Sequence, residues 1–201
     1  MKRLRALGLI AALAACQQPA PDKKVDYDPT EAGSIDQAMC LLGFAAVLLR
    51  ELPSGHHLVD VKVNGKAATF ILDTGANASV VHTVSGRRLG LPEKGLSAGA
   101  FGLGGGMKAQ QVKLDRLEIS GLTIRQTRIM TSDLSQLVQV LGTVSRSEIA
   151  GIIGQDVMKE HRAVIDVARP ILYLIPEDKD PAPVPATTCA GDGASQQKAK
   201  G

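Results

Sequence analysis

The chain has 201 residues, 44% of them hydrophobic and 2% aromatic, which suits one domain with a real core plus flexible ends. The formal net charge of +3 matches the three basic residues Lys2, Arg3 and Arg5; without them, basic and acidic residues balance at 20 each. A balanced surface without Trp excludes the basic, aromatic-rich face of a nucleic-acid binder, so no nucleic-acid partner is expected.

The same basic residues open a leader. A wholly apolar run, Ala6 to Ala15, follows them and is shorter than the roughly 20 residues a membrane-crossing helix requires. It ends in Leu13-Ala14-Ala15-Cys16, which resembles a bacterial lipobox and implies a signal peptide over 1–15 with lipidation at Cys16. Gln17 stands where an Asp would suggest inner-membrane retention, so the expectation is a lipid-anchored envelope protein at the outer membrane, facing the periplasm. Export implies an oxidising compartment, in which Cys40 and Cys189 form a candidate disulfide.

Residues 16–33, rich in Pro and mixed charge, read as a tether. Residues 34–45 read as a short helix or leading segment, with Ser34 and Asp36 as capping candidates. The folded domain is placed at 46–176. His57 to Val63 alternates apolar and polar, Asn64-Gly65 supplies a hairpin turn, and Ala67 to Leu72 returns as the second strand. Further strands are expected at 111–119, 122–131 and 163–175, and short helices near 83–89, 134–141 and 155–160. From 177 to 201 the Pro-rich, polar composition reads as a disordered tail.

The stretch that carries chemistry is Phe70-Ile71-Leu72-Asp73-Thr74-Gly75-Ala76-Asn77-Ala78-Ser79-Val80-Val81. A buried strand delivers a carboxylate at its end, a hydroxyl can brace the loop, and Gly75 admits close backbone approach. With Ile152-Ile153-Gly154 further along and the glycine-rich run Gly102 to Gly106 between strands, the chain resembles the retropepsin-like aspartic proteases, in particular the exported bacterial type with a single Asp-Thr-Gly-Ala.

The resemblance spans about Ala46 to Ile175 and implies a mainly β fold, a retropepsin-like closed β-barrel with one or two short helices. It implies Asp73, Thr74 and Gly75 as the catalytic loop, with Ala76, Asn77 and the flap glycines Gly102, Gly104, Gly105 and Gly106 binding substrate. Ser79, Ile152, Ile153 and Gly154 would lie beneath the site. The expected activity is that of an aspartic endopeptidase acting on peptide or protein substrates without a cofactor. Asn77 departs from the pattern, because retroviral members carry an acid there. The interval between Asp73 and Gly154 is also longer than in viral domains, and the extra length around 131–147 resembles an insertion of bacterial members.

This chemistry takes two carboxylates, and the chain carries one Asp-Thr-Gly. Asp133, Asp156 and Asp166 lack the following Thr/Ser-Gly. Asp133 reads as a helix cap, Asp156 as the start of a helix and Asp166 as part of a strand or its turn. A homodimer in which each chain contributes Asp73 is therefore expected. The competing reading is a non-catalytic module of the same fold that binds extended peptides or stabilises an envelope assembly.

Other signals carry less. The Gly102 to Gly106 run lacks the Gly-Lys-Ser/Thr of a phosphate loop. His56, His57, His82 and His161 lack zinc-ligand spacing and read as solvated surface, so no metal site is expected.

Overall fold

The computed structural model describes residues 26–102, 105–125, 128–145, 147–176 and 182–189, and side chains within them except those of 98–107. The expected signal peptide, Cys16, most of the tether and Gly104 lie outside the described residues.

Helix α1 (Ile35–Leu41) starts where Ser34 accepts the Gln37 N–H at 3.0 Å, an N-cap. Strands β1 (Ala45–Leu48) and β2 (Arg50–Glu51) lead to the expected hairpin, β3 (His57–Val63) and β4 (Lys66–Leu72). The turn between them places Asn64 at φ 50° and Gly65 at φ 79°, the left-handed pair that matches the twist of the flanking strands. Strand β5 (Val80–His82) runs directly into α2 (Thr83–Leu89).

A second hairpin follows, β6 (Leu96–Gly102) with β7 (Gly105–Lys113). Next come β8 (Leu117–Ile119), β9 (Leu122–Ile124), β10 (Arg128–Ser132), α3 (Ser135–Ser145), β11 (Ile149–Ile153), α4 (Gln155–Glu160), β12 (Val164–Asp166) and β13 (Ile171–Leu174). A 3-10 turn at Ala186–Cys189 closes the described chain.

Three long expected strands are each divided. The run 111–119 breaks because the Asn64 side chain takes the Asp115 and Arg116 N–H groups at 2.7 and 3.2 Å, away from any ladder. The run 122–131 ends in one sheet neighbour, β8, and resumes in others, β7 and β5. The run 163–175 turns back on itself, with the Asp166 carboxylate accepting the Ala168 and Arg169 N–H groups. Four short helices are found among the described residues, more than the one or two the resemblance implies but at the places where the sequence pattern put helical segments.

The larger sheet runs in the order β6-β7-β10-β5-β11-β4-β3-β8-β9, with β2 on β3; among the described residues this is an open path. The smaller sheet is β1-β13-β12. Alternation sorts the side chains of β4 onto two faces. Phe70 and Leu72 enter the main core with Val59, Val61, Val81, Ile153, Leu172 and Leu174. Ile71 faces the other way and packs with Leu58, Ile149 and Leu141 of α3. Leu134, just ahead of that helix, and Val138 within it pack with Val80, Met130 and Ile152. The fold is mainly β with short helices, as expected.

The described segments flanking the domain prove more ordered than composition suggests. Tyr27, Met39 and Phe44 pack on Ala46, Ile171 and Tyr173 of the small sheet. The Val184 N–H donates to the Leu41 carbonyl at 2.8 Å, and a disulfide joins Cys40 to Cys189 across 6.0 Å between Cα atoms. So residues 26–33, expected in the tether, and 182–189, expected in the disordered tail, are parts of the folded body.

Asp36 is no cap. It is buried, held by two guanidinium contacts from Arg169 at 2.9 and 3.0 Å, by the Tyr173 hydroxyl and by the Asp28 N–H. Burial pushes its carboxyl up, but these donors together outweigh burial and hold it below the usual value. Burial and the adjacent Asp36 push the Tyr173 hydroxyl up.

Candidate active site

Strand β4 delivers Asp73 at its end, where the Asp73 N–H donates to the Ile153 carbonyl at 3.0 Å and continues the parallel pairing with β11. The chain then turns sharply. The Gly75 N–H donates to Asp73 Oδ1 at 2.8 Å, and the Ala76 N–H donates to the Asp73 carbonyl at 3.2 Å. These bonds hold the carboxylate beside its own loop, half-buried, with Thr74, Gly75 and Asn77 exposed.

The loop is fastened from beneath by residues 153–156. Gln155 donates its backbone N–H to the Ala76 carbonyl at 2.8 Å and its side-chain Nε2 to the Thr74 carbonyl at 2.7 Å. The Gly154 N–H donates to Ser79 Oγ at 2.9 Å. A Cβ on Gly154 would lie 2.6 Å from both the carbonyl carbon and oxygen of Ala78, so only glycine lets the two segments meet here. Ser79 is fully buried and Ile153 sits in the main core, while Ile152 is partly buried against Val80 and Ala78.

The structure thus gathers Asp73, Thr74, Gly75, Ala76, Ser79, Ile153 and Gly154 into one junction. Gly102, Gly105 and Gly106 belong to the turn end of the β6–β7 hairpin, where Gly102 pairs with Gly105 and Phe101 with Gly106. That hairpin is rooted in β10, which in turn pairs with β5 just after the loop.

The other three carboxylates considered as partners each have employment elsewhere. Asp133 accepts the Ser135 hydroxyl and N–H ahead of α3, and those bonds hold its carboxyl below the usual value. Asp166 binds Arg169, whose N–H and guanidinium likewise lower its carboxyl. Asp156 accepts from Ser79. Of these four carboxylates, Asp73 alone lies in the Asp-Thr-Gly turn.

Two residues that hold the loop, Gln155 and Asp156, escaped the reading of the sequence as loop anchors. Their signal was position, directly after Ile-Ile-Gly, but a bond to a segment far away in the chain leaves no local pattern. Two of the four histidines, His82 and His161, also differ from expectation. His161 is fully buried, its Nδ1–H donating to the Ile175 carbonyl at 2.6 Å and its Nε2 accepting the Arg125 N–H at 2.9 Å. His82 is buried too, with Nδ1 accepting the Leu134 N–H at 3.1 Å. They serve as hydrogen-bonding core residues because each finds a backbone partner. Among the described residues, no group of three or more His, Cys, Asp or Glu side chains could hold a metal ion. Nor is any helix among them long and apolar enough to cross a membrane.

Residues 59–157 match the family model described as "Aspartyl protease". That segment, just under half of the chain, resembles the aspartyl protease family. It contains the whole loop junction, from the hairpin before Asp73 to the start of α4. Among solved structures, the chain is similar to EIAV protease complexed with the inhibitor HBY-793, at 24% identity and TM-score 0.39 over 51% of this chain and 84% of that one. It is also similar to a retropepsin-like aspartic protease from Rickettsia conorii, at 18% identity and TM-score 0.44 over 66% of this chain and 88% of that one. No curated protein matches.

Proposed function

We propose that the chain is an aspartic endopeptidase whose working unit is a homodimer. The observation that carries this reading is the Asp73 loop, a single Asp-Thr-Gly carboxylate fastened on the Ile-Ile-Gly segment within a stretch matching the aspartyl protease model. In the dimer, the two Asp73 carboxylates face each other across a two-fold axis and share one proton, because two like charges about 3 Å apart cannot both ionise. The ionised carboxylate takes a proton from a water held between them. The protonated one gives its proton to the scissile carbonyl, and no covalent acyl intermediate forms. Substrate would lie extended and add as a strand beside the glycine-rich β6–β7 hairpin.

Location belongs to the same proposal. Lipidation at Cys16 would tether the domain to the outer membrane on its periplasmic side, and the Cys40–Cys189 disulfide supports export to an oxidising compartment. Mass spectrometry of the membrane-extracted chain tests this, since an unmodified Cys16 retained behind an intact leader would overturn it.

The experiment for the activity mixes wild-type protein with Asp73→Asn after subunit exchange, using labelled unfolded casein as the probe. At equal amounts only about a quarter of random dimers keep both carboxylates, so cleavage falls to about a quarter of the undiluted rate. Cleavage by pure Asp73→Asn at the wild-type rate would sink the proposal. The lone carboxylate per chain also favours a second reading, a peptide-binding module of this fold. A strictly monomeric protein that binds but does not cleave casein would select it.

A further inference from the structure

We infer that Asp156 is a positioning residue for the Asp73 loop and acts through Ser79. The inference rests on the aspartic-peptidase reading only for its kinetic arm.

The Asp156 carboxylate accepts the Ser79 N–H on both oxygens at 2.9 Å and the Ser79 hydroxyl on Oδ1 at 2.7 Å. It also accepts the N–H of its neighbour Val157 at 2.8 Å. A carboxylate in the first turn of a helix is ordinarily explained by that last bond and by the helix dipole. Here the local bond is the minority. The bonds to Ser79 cross 77 positions of sequence and end on a residue with no exposed surface.

Ser79 is the hinge of the arrangement. Its hydroxyl donates to Asp156 while accepting the Gly154 N–H, so both of its roles are committed. Its own carbonyl accepts the Met130 N–H at 3.1 Å and ties the end of the loop to β10. The loop from Asp73 to Ser79 is therefore clamped at its start by Ile153, in the middle by Gln155 and at its end by Asp156. Asp73 itself can move only if one of these clamps yields.

Position 156 calls for acceptors on both side-chain oxygens, because each of these partners donates to it. An asparagine offers one oxygen; its amide nitrogen would take the place of Oδ2, 2.9 Å from the Ser79 nitrogen, donor against donor. The remaining oxygen still accepts the Ser79 N–H and hydroxyl, but the amide nitrogen now faces that N–H, and the 76–79 segment has to shift to separate the two donors. A shift of about 1 Å at the reacting carboxylate lowers turnover by on the order of 10²-fold.

The test uses Asp156→Asn, Ser79→Ala and a control, Asp166→Asn, each in the full chain with folding checked by circular dichroism. Asp166 ends β12 beside the turn to β13, in the small sheet and away from the loop. With labelled unfolded casein, Asp156→Asn is expected to lose kcat by about 10- to 100-fold with KM nearly unchanged. Ser79→Ala keeps the backbone bonds to Asp156 and is expected to lose less, and Asp166→Asn to match wild type. A second readout needs no catalysis. The Gly75 amide donates to Asp73 Oδ1, so its NMR resonance moves and its hydrogen exchange quickens in Asp156→Asn, and in the same direction but less in Ser79→Ala. A folded Asp156→Asn with the wild-type Gly75 resonance and exchange overturns the inference. Should Asp156→Asn fail to fold, Ser79→Ala decides, and an unmoved Gly75 amide overturns the inference equally. If wild type does not cleave casein, the peptidase reading falls, while the Gly75 amide still decides the role of Asp156.

Discussion

The Asp73 loop and the terminal clamp both fix irregular chain against a sheet, and they do it by opposite means. The loop is held by hydrogen bonds, mostly from and to backbone, between two segments that approach through Gly154. Its carboxylate stays half-buried and reachable. The clamp sinks a carboxylate, Asp36, against a bidentate Arg169 and the Tyr173 hydroxyl, and adds the Cys40–Cys189 disulfide. A reactive group, the role proposed for Asp73, must keep its charge available, and neutral donors position this one. A structural charge needs no access, and a full ionic partner with complete hydrogen bonding offsets its burial. The two carboxylates should therefore answer mutation differently, one in activity and the other in stability.

The sharpest break is Asp73→Asn. Turnover of unfolded casein should fall by about 10²- to 10⁴-fold, the usual worth of a general acid or base. Thermal unfolding should barely move, because the amide oxygen can still accept the Gly75 N–H. Equal losses of activity and stability would erase the contrast between the two regions.

Arg169→Ala strands the buried Asp36 carboxylate and should cost about 3 kcal/mol, the low end for a broken buried pair because the guanidinium is about one-third exposed. Chemical denaturation measures this, with kcat of the folded fraction unchanged. Cys40→Ser should cost about 2–5 kcal/mol, since it frees a loop of 149 positions and releases 182–189 from α1. A Cys40→Ser protein as stable as wild type would mean that the Val184–Leu41 bond alone holds the terminal segment.

Tyr173→Phe removes one donor to Asp36 and should cost about 1.5–3 kcal/mol, as for a hydrogen bond to a charged group. It also sharpens the pH dependence. The Asp36 and Asp166 carboxyls are held below their unfolded values, so the stability they supply is present above about pH 4 and is lost as pH falls through the folded values. Melting temperature followed from pH 7 downward should drop below pH 4. The drop should be shallower in Tyr173→Phe, whose Asp36 titrates nearer its unfolded value.

How much of this was legible in the sequence depends on the range of the interactions. The β3–β4 hairpin and α4 emerged at nearly their observed bounds, because Asn64-Gly65 and the residues around Gly154 signal through their neighbours. The long strand runs did not, because the Asn64 side chain and the Asp166 turn interrupt them through hydrogen bonds that no apolar pattern records. At the site, Asp73, Thr74, Gly75 and Gly154 were visible as a motif. Asp156 was considered for chemistry and for starting a helix but not for anchoring the loop, since its partner Ser79 lies 77 positions away. Histidines read as solvated proved buried, because a core histidine is recognised only by the carbonyl or N–H that meets it.

By itself the sequence determined that one strand would end in a single Asp-Thr-Gly carboxylate, flanked by a hairpin and echoed by Ile-Ile-Gly, since strand alternation, turn chemistry and short motifs are local properties. Only the tertiary structure decided what holds that carboxylate in place and what employs the others. Asp36, Asp133, Asp156 and Asp166 are similar in sequence, and their roles follow from the donors the fold brings to them.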